Sequence, residues 1–222
     1  MTLPLDIHAH VASPEKEGGR RVISISPKDL HWSVVLGAGG DYPCISVGLH
    51  PWQVDEEWEV MVNECIVPAL SMPHVVAVGE VGLDRVKGGE WGCQIAAFKA
   101  QVMLSEQYRK PLIVHCVKGY DDLIALYKSI RPMQCWIIHG FRGKAIQAAQ
   151  LTRMGFSLSF GEHFCTEAVC ACPLDRLFVE SDESLLPLDT LYARIAGAKG
   201  VSVGRVEEQV RKNVEGLFLK SV

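Results

Sequence analysis

No stretch of this 222-residue chain is apolar for long enough to cross a bilayer, and no basic opening followed by an apolar core reads as an export signal. On sequence alone a soluble, cytoplasmic protein is expected. A surplus of positive charge is also missing. Lys and Arg together number 22 against 26 Asp and Glu, a formal net charge of −4, which leaves no basic footprint of the kind nucleic-acid binders carry. A polyanionic substrate would need bound cations or a local basic patch. Paired CxxC knuckles are absent too. The eight cysteines lie largely in apolar runs such as "CWIIH" and "LIVHC", the habit of buried thiols. Their tightest group, "CTEAVCACP", offers three sulfurs where a structural zinc takes four ligands. Internal repeats, low-complexity tracts and linkers are lacking, and with 48% apolar residues a substantial core can form. One domain spanning residues 1–222 is expected.

What the chain does have is a series of short runs rich in Val, Ile, Leu and Phe: "LPLDI", "RVISI", "CISVG", "VVAVG", "LIVHC", "CWIIH", "FSLSF" and "RLFVE". They are continuously apolar rather than alternating, as parallel strands covered on both faces are. Helical patterns separate most of them. Ile95, Phe98 and Val102 share one face, Asp121 is a candidate cap for "DLIALYKSI", and "KAIQAAQLTRM" ends at Gly155, a suitable left-handed terminator. Val206, Val210, Val214 and Leu217 form a last apolar stripe. This alternation predicts an α/β chain folded as a (β/α)8 TIM-type barrel. Between the first two runs stands only "VASPEKEGG", whose Pro14, Gly18 and Gly19 argue against a helix, so the barrel is expected to be trimmed there.

Ionisable residues gather where the apolar runs end. His8 and His10 follow the first, His50 the third, Glu80 the fourth, His115 the fifth, His139 the sixth and Asp182 the eighth. Side chains at i and i+2 of an extended chain point the same way, so His8 and His10 face one spot. The ends of parallel barrel strands converge on one face, which would bring the whole set together. Burying so many polar groups without a partner is costly, and one or two divalent cations are the simplest partner.

The pieces "DIHAH", "VGLHPW", "GEVGLD", "PLIVH", "IHGF" and "LFVESD", in this order, resemble the TatD-related hydrolases of the metal-dependent amidohydrolase superfamily, and Gln94, Phe98 and "KNVEGLF" extend the match. The resemblance covers nearly the whole chain. It implies that His8, His10 and Asp182 hold one metal, that His115 and His139 hold a second, and that Glu80 bridges the two. The ions would be Zn, Mn or Mg. It also implies metal-dependent phosphodiester hydrolysis, a 3′-to-5′ exonuclease or deoxyribonuclease activity, with nucleic acid or a small phosphoester as the partner and no obligate protein partner. Asp182 and Glu80 are the catalytic candidates, Asp182 as general base because it can ligate through one oxygen and accept a proton through the other. Asp84 is expected to orient a ligand or a substrate group.

Substrate contacts are expected from His50 and Trp52 of "GLHPW", and from Lys118, Arg142 and His163, with Trp52 able to stack on a base. The chain departs from the family around these positions. Val11, Ala12 and Ser13 stand where an acidic residue is common, Val117 where an Arg is common, and Glu183 and Ser184 follow "ESD". No ligand is lost. Two alternatives therefore stand beside the nuclease: hydrolysis of another ester, a lactone or a cyclic amide, and a catalytically silent metal-binding relative.

Overall fold

The computed structural model describes residues 5–10, 21–29 and 44–218. Eight strands are found: β1 (Asp6–Ala9), β2 (Arg21–Ile25), β3 (Cys44–Val47), β4 (Val75–Asp84), β5 (Leu112–Val117), β6 (Trp136–Ile138), β7 (Ser157–Phe160) and β8 (Leu177–Val179). They stand in the sheet in chain order, β1 to β8, the order of a TIM-like α/β fold. All eight apolar runs thus form strands, the second with the same bounds and the other seven with shifted ones. The expected trimming between β1 and β2 falls on residues 11–20, outside the described residues. Two compact units are distinguished, residues 1–23 with 136–222, and residues 24–135.

In the first unit β1 pairs in parallel with β2, and β6, β7 and β8 pair in parallel in turn. A parallel bridge between Ala9 and Asp182 sets the end of β8 beside β1. Trp136 packs edge-on against Phe156, and Phe141 against Phe160, all four fully buried. Polar clasps hold the strand ends. The Tyr192 hydroxyl donates to the Leu5 carbonyl at 2.7 Å, and the Asn213 amide of "KNVEGLF" donates to the carbonyls of Leu174 and Leu177 at 2.8 and 2.9 Å.

In the second unit β3, β4 and β5 pair in parallel. A helical segment starts as α1 (Trp58–Met61), widens through a π turn (Val62–Ile66) and ends as α2 (Val67–Leu70). The long helix α3 (Trp91–Tyr108) buries Phe98 and Val102 as expected, and Ala97 with them, but Ile95 is only half-buried, and Gln94 and Gln101 share the buried face. These amides are fully used. Gln101 accepts from the Leu49 N–H at 2.6 Å and donates to the Leu49 carbonyl, while Gln94 accepts from the Asp84 N–H at 2.9 Å and donates to the carbonyls of Asp84 and Gly89. One helix therefore pins the chain just past β3 and the end of β4. Gly119, not Asp121, precedes α4 (Tyr120–Ile130); Asp121 and Asp122 lie in its first turn, where they still complement the helix dipole.

Candidate metal centre

Strand irregularities aim the candidate ligands. From Asp6 to Ala9 β1 advances three positions while β2 advances two, and β4 likewise advances from Val78 to Val81 against Leu112 to Val114 of β5. Each mismatch is a bulge, and the bulges contain His8 and Glu80; an extra residue re-aims a side chain while pairing continues on either side. His8 and Glu80 accordingly lie inside their strands rather than past them, and His115 lies inside β5 as well. Gly82 faces His115 across the β4–β5 ladder with φ +154°, and a Cβ there would meet the His115 carbonyl oxygen at 1.9 Å, so only glycine permits this approach.

The first unit gathers His8, His10 and Asp182. The Nε2 atoms of His8 and His10 lie 3.7 and 3.5 Å from the same Asp182 oxygen, and the two rings meet at 4.8 Å. Ligands about 2.1 Å from a tetrahedral ion would be about 3.4 Å apart, so this donor set fits a divalent cation. Asp182 has φ +53°, a conformation costly for a residue with a Cβ. Two main-chain bonds hold it: its N–H donates to the His8 carbonyl at 2.9 Å, and its carbonyl accepts from the His10 N–H at 3.3 Å. His139, just past β6, stands 4.3 Å ring to ring from His8, and with Glu180 and Asp182 forms a second possible ligand group in this unit.

Glu180 belongs to this cluster and Asp6 braces Ser181 beside it, and neither is among the residues expected from the motifs. Glu180 is fully buried, accepts from the Gly140 N–H at 2.6 Å and lies 3.6 Å from His139 Nδ1. Burial would raise its pKa, but the hydrogen bond and charge of His139, the charge of His8 and the Ser159 hydroxyl together hold it below the usual range. Asp6 is buried under β8's end, where its carboxylate accepts from the Ser181 N–H at 2.9 Å and from the Ser181 hydroxyl at 2.6 Å, with Arg21 Nε at 3.4 Å. Burial pushes its pKa up to about 7 against the pull of Ser181 and Arg21. Their one sequence signal is an ionisable residue inside or closing an apolar run.

The second unit gathers His50, Glu80 and His115. Glu80 Oε1 lies 3.1 Å from His50 Nε2 and 2.9 Å from His115 Nδ1, and His115 Nε2 lies 3.1 Å from Asp84 Oδ2. His50 Nδ1 accepts the Trp52 N–H at 3.1 Å, so in the neutral ring Nε2 carries the proton. That makes His50 a donor towards Glu80. Burial would raise the Asp84 carboxyl, but the Trp52 indole, the N–H groups of Lys87 and Val86, and His115 lower it overall.

The remaining expected contacts are more open. Lys118 is exposed beyond β5 with φ +53°. Arg142 and His163, both exposed, line a cavity of about 250 Å³ in the first unit together with Glu162, Glu180, Asp182 and Glu183. No described helix is long and apolar enough to cross a membrane.

Comparison with known proteins matches residues 5–219 to the TatD related DNase family. A 3′-5′ ssDNA/RNA exonuclease TatD of Klebsiella pneumoniae is 28% identical over 200 residues, covering 78% of this chain and 76% of that protein. The crystal structure of YjjV, a TatD homologue of Escherichia coli, superposes with a TM-score of 0.82 at 20% identity, covering 97% of this chain and 98% of the other. A dihydroorotase structure superposes with a TM-score of 0.65 at 14% identity over 97% of this chain and 70% of its own.

Proposed function

Because the chain belongs to the TatD related DNase family of metal-dependent hydrolases, we propose that it is a phosphodiesterase that releases nucleotides from the 3′ end of single-stranded DNA or RNA. The observation that carries this reading is the convergence of His8, His10 and Asp182 Oδ1 at separations that suit one divalent ion. His50, Glu80 and His115 offer a second donor set, and His139 stands with Glu180 and Asp182 in the first unit. Such mixed imidazole and carboxylate donors suit zinc, manganese or magnesium. A bound cation would lower the pKa of water and neutralise charge developing on the phosphoryl group.

The chain's own residues supply the rest. Asp182 turns one oxygen to the two imidazoles, which leaves the other to accept a proton from the attacking water. Glu80 is held by two imidazoles, so its carboxylate keeps one orientation. Asp84, bonded to Trp52 and His115, positions both rings. Arg142 and His163, exposed at the cavity of the first unit, are donors for phosphate oxygens.

The test is a 3′-labelled single-stranded oligonucleotide incubated with the purified chain and Mg²⁺ or Mn²⁺. Nucleotide release that a chelator abolishes is expected. Tightly bound metal without release would instead favour another ester, lactone or cyclic amide, a substrate class to which the four carboxylates around the cavity are better matched than to a polyanion.

A further inference from the structure

Building on the nuclease reading, we propose that Trp52 and Lys87 form a nucleotide subsite that works by exchange of partners. In the free chain the Lys87 ammonium caps the indole; a single strand draws that ammonium onto a backbone phosphate, and a base stacks on the uncovered ring.

Trp52 is placed for this. It is 47% exposed, yet its indole N–H is tied to Asp84 Oδ2 at 2.7 Å, and the ring meets His50 at 4.8 Å and His115 at 5.8 Å. An exposed aromatic face held rigidly beside a His and carboxylate cluster is what sequence-tolerant binding of single strands uses.

Lys87 Nζ stands 3.4 Å from the centre of that ring, and no acidic side chain among the described residues forms an ion pair with it. Its neighbour Arg85 behaves otherwise: it lies 3.9 Å over Trp91 but is neutralised by Asp122 at 2.6 Å. Of these two stacked cations, Lys87 is therefore the one whose charge is available. The turn beneath it is preset. Asp84 Oδ1 accepts from the N–H groups of Val86 and Lys87 at 2.7 and 3.0 Å, and Gly88, at φ +130°, comes so near the Pro51 carbonyl that a Cβ would lie 2.7 Å from it. The backbone of Lys87 is thus fixed, while its four-carbon stem can swing. An exposed contact between a cation and a ring is weak, so a phosphate can win the ammonium. The chain carries net charge −4, so a phosphate at this ring needs a local cation, which Lys87 supplies.

Binding of a phosphorothioate-linked oligothymidylate, followed by fluorescence anisotropy across a salt series in Mg²⁺, tests the exchange separately from turnover. Lys87→Ala is expected to weaken binding about fivefold and to reduce the slope of log affinity against log salt by about 0.7, the share of one phosphate on a single strand. Lys87→Arg should keep both. Trp52→Leu should weaken binding at least about fivefold with the slope unchanged. Native affinity and slope in Lys87→Ala, in a chain that binds and cleaves, would overturn the exchange alone; native affinity in Trp52→Leu would overturn the stacking. Failure of the unaltered chain to bind the oligonucleotide would overturn the nuclease reading and the subsite together.

Discussion

Asp6 sits two residues before His8 with its carboxylate buried and its pKa raised to about 7 from 3.8. A carboxyl whose folded pKa lies above its unfolded one favours the folded state through its protonated form. That contribution is full below 3.8 and is lost as pH rises through about 7. Replacing Asp6 with Asn removes the titration, so between these limits the native unfolding free energy should fall relative to that of Asp6→Asn, by up to about 1.4 kcal/mol per pH unit. Urea melts at a series of pH values read this difference, and parallel curves for the two chains would refute it. The same residue marks the limit of what was legible. His8, His10, His139 and Asp182 stood out because ligand-type residues close apolar runs. Asp6, inside "LPLDI", acquires its meaning from Ser181, 175 positions away.

At the scale of elements, the family motifs hold two kinds of residue that look alike in sequence. Some face the clusters. Others, such as Gln94 in α3 and Asn213 in the helix Val203–Phe218, clasp the main chain of strand ends. Gln101 belongs to the second kind, since its amide satisfies both the N–H and the carbonyl of buried Leu49, one residue before His50. Gln101→Ala should therefore cost about 1–3 kcal/mol in chemical denaturation, the penalty of leaving buried polar groups unpaired, with no loss of helix content. A change within error would show the clasp to be dispensable. The strands themselves were readable from their unbroken apolar runs, but their bulges were not. An extra residue leaves no mark on hydrophobicity, which is why His8 and Glu80 are expected after β1 and β4 and are found within them.

For the molecule as a whole, eight parallel strands in chain order and the family membership were both open to sequence reading, because burial on two faces and ordered motifs are written in residue type. Each compact unit carries its own His and carboxylate cluster, and at a net charge of −4 the proposed phosphodiesterase activity depends on bound cations. The measurement that bears most directly on this is calorimetric titration of Mn²⁺ into the chelator-stripped chain and into His10→Ala, with nucleotide release followed in the same samples. His10 is a suitable target because its side chain is 37% exposed, so the fold should survive the change. The expected result is that the unaltered chain binds at least one ion per molecule and regains activity with it, whereas His10→Ala loses a binding event and most of the activity. Equal binding by both chains, or nucleotide release before any ion is added, would contradict a metal centre built on His8, His10 and Asp182.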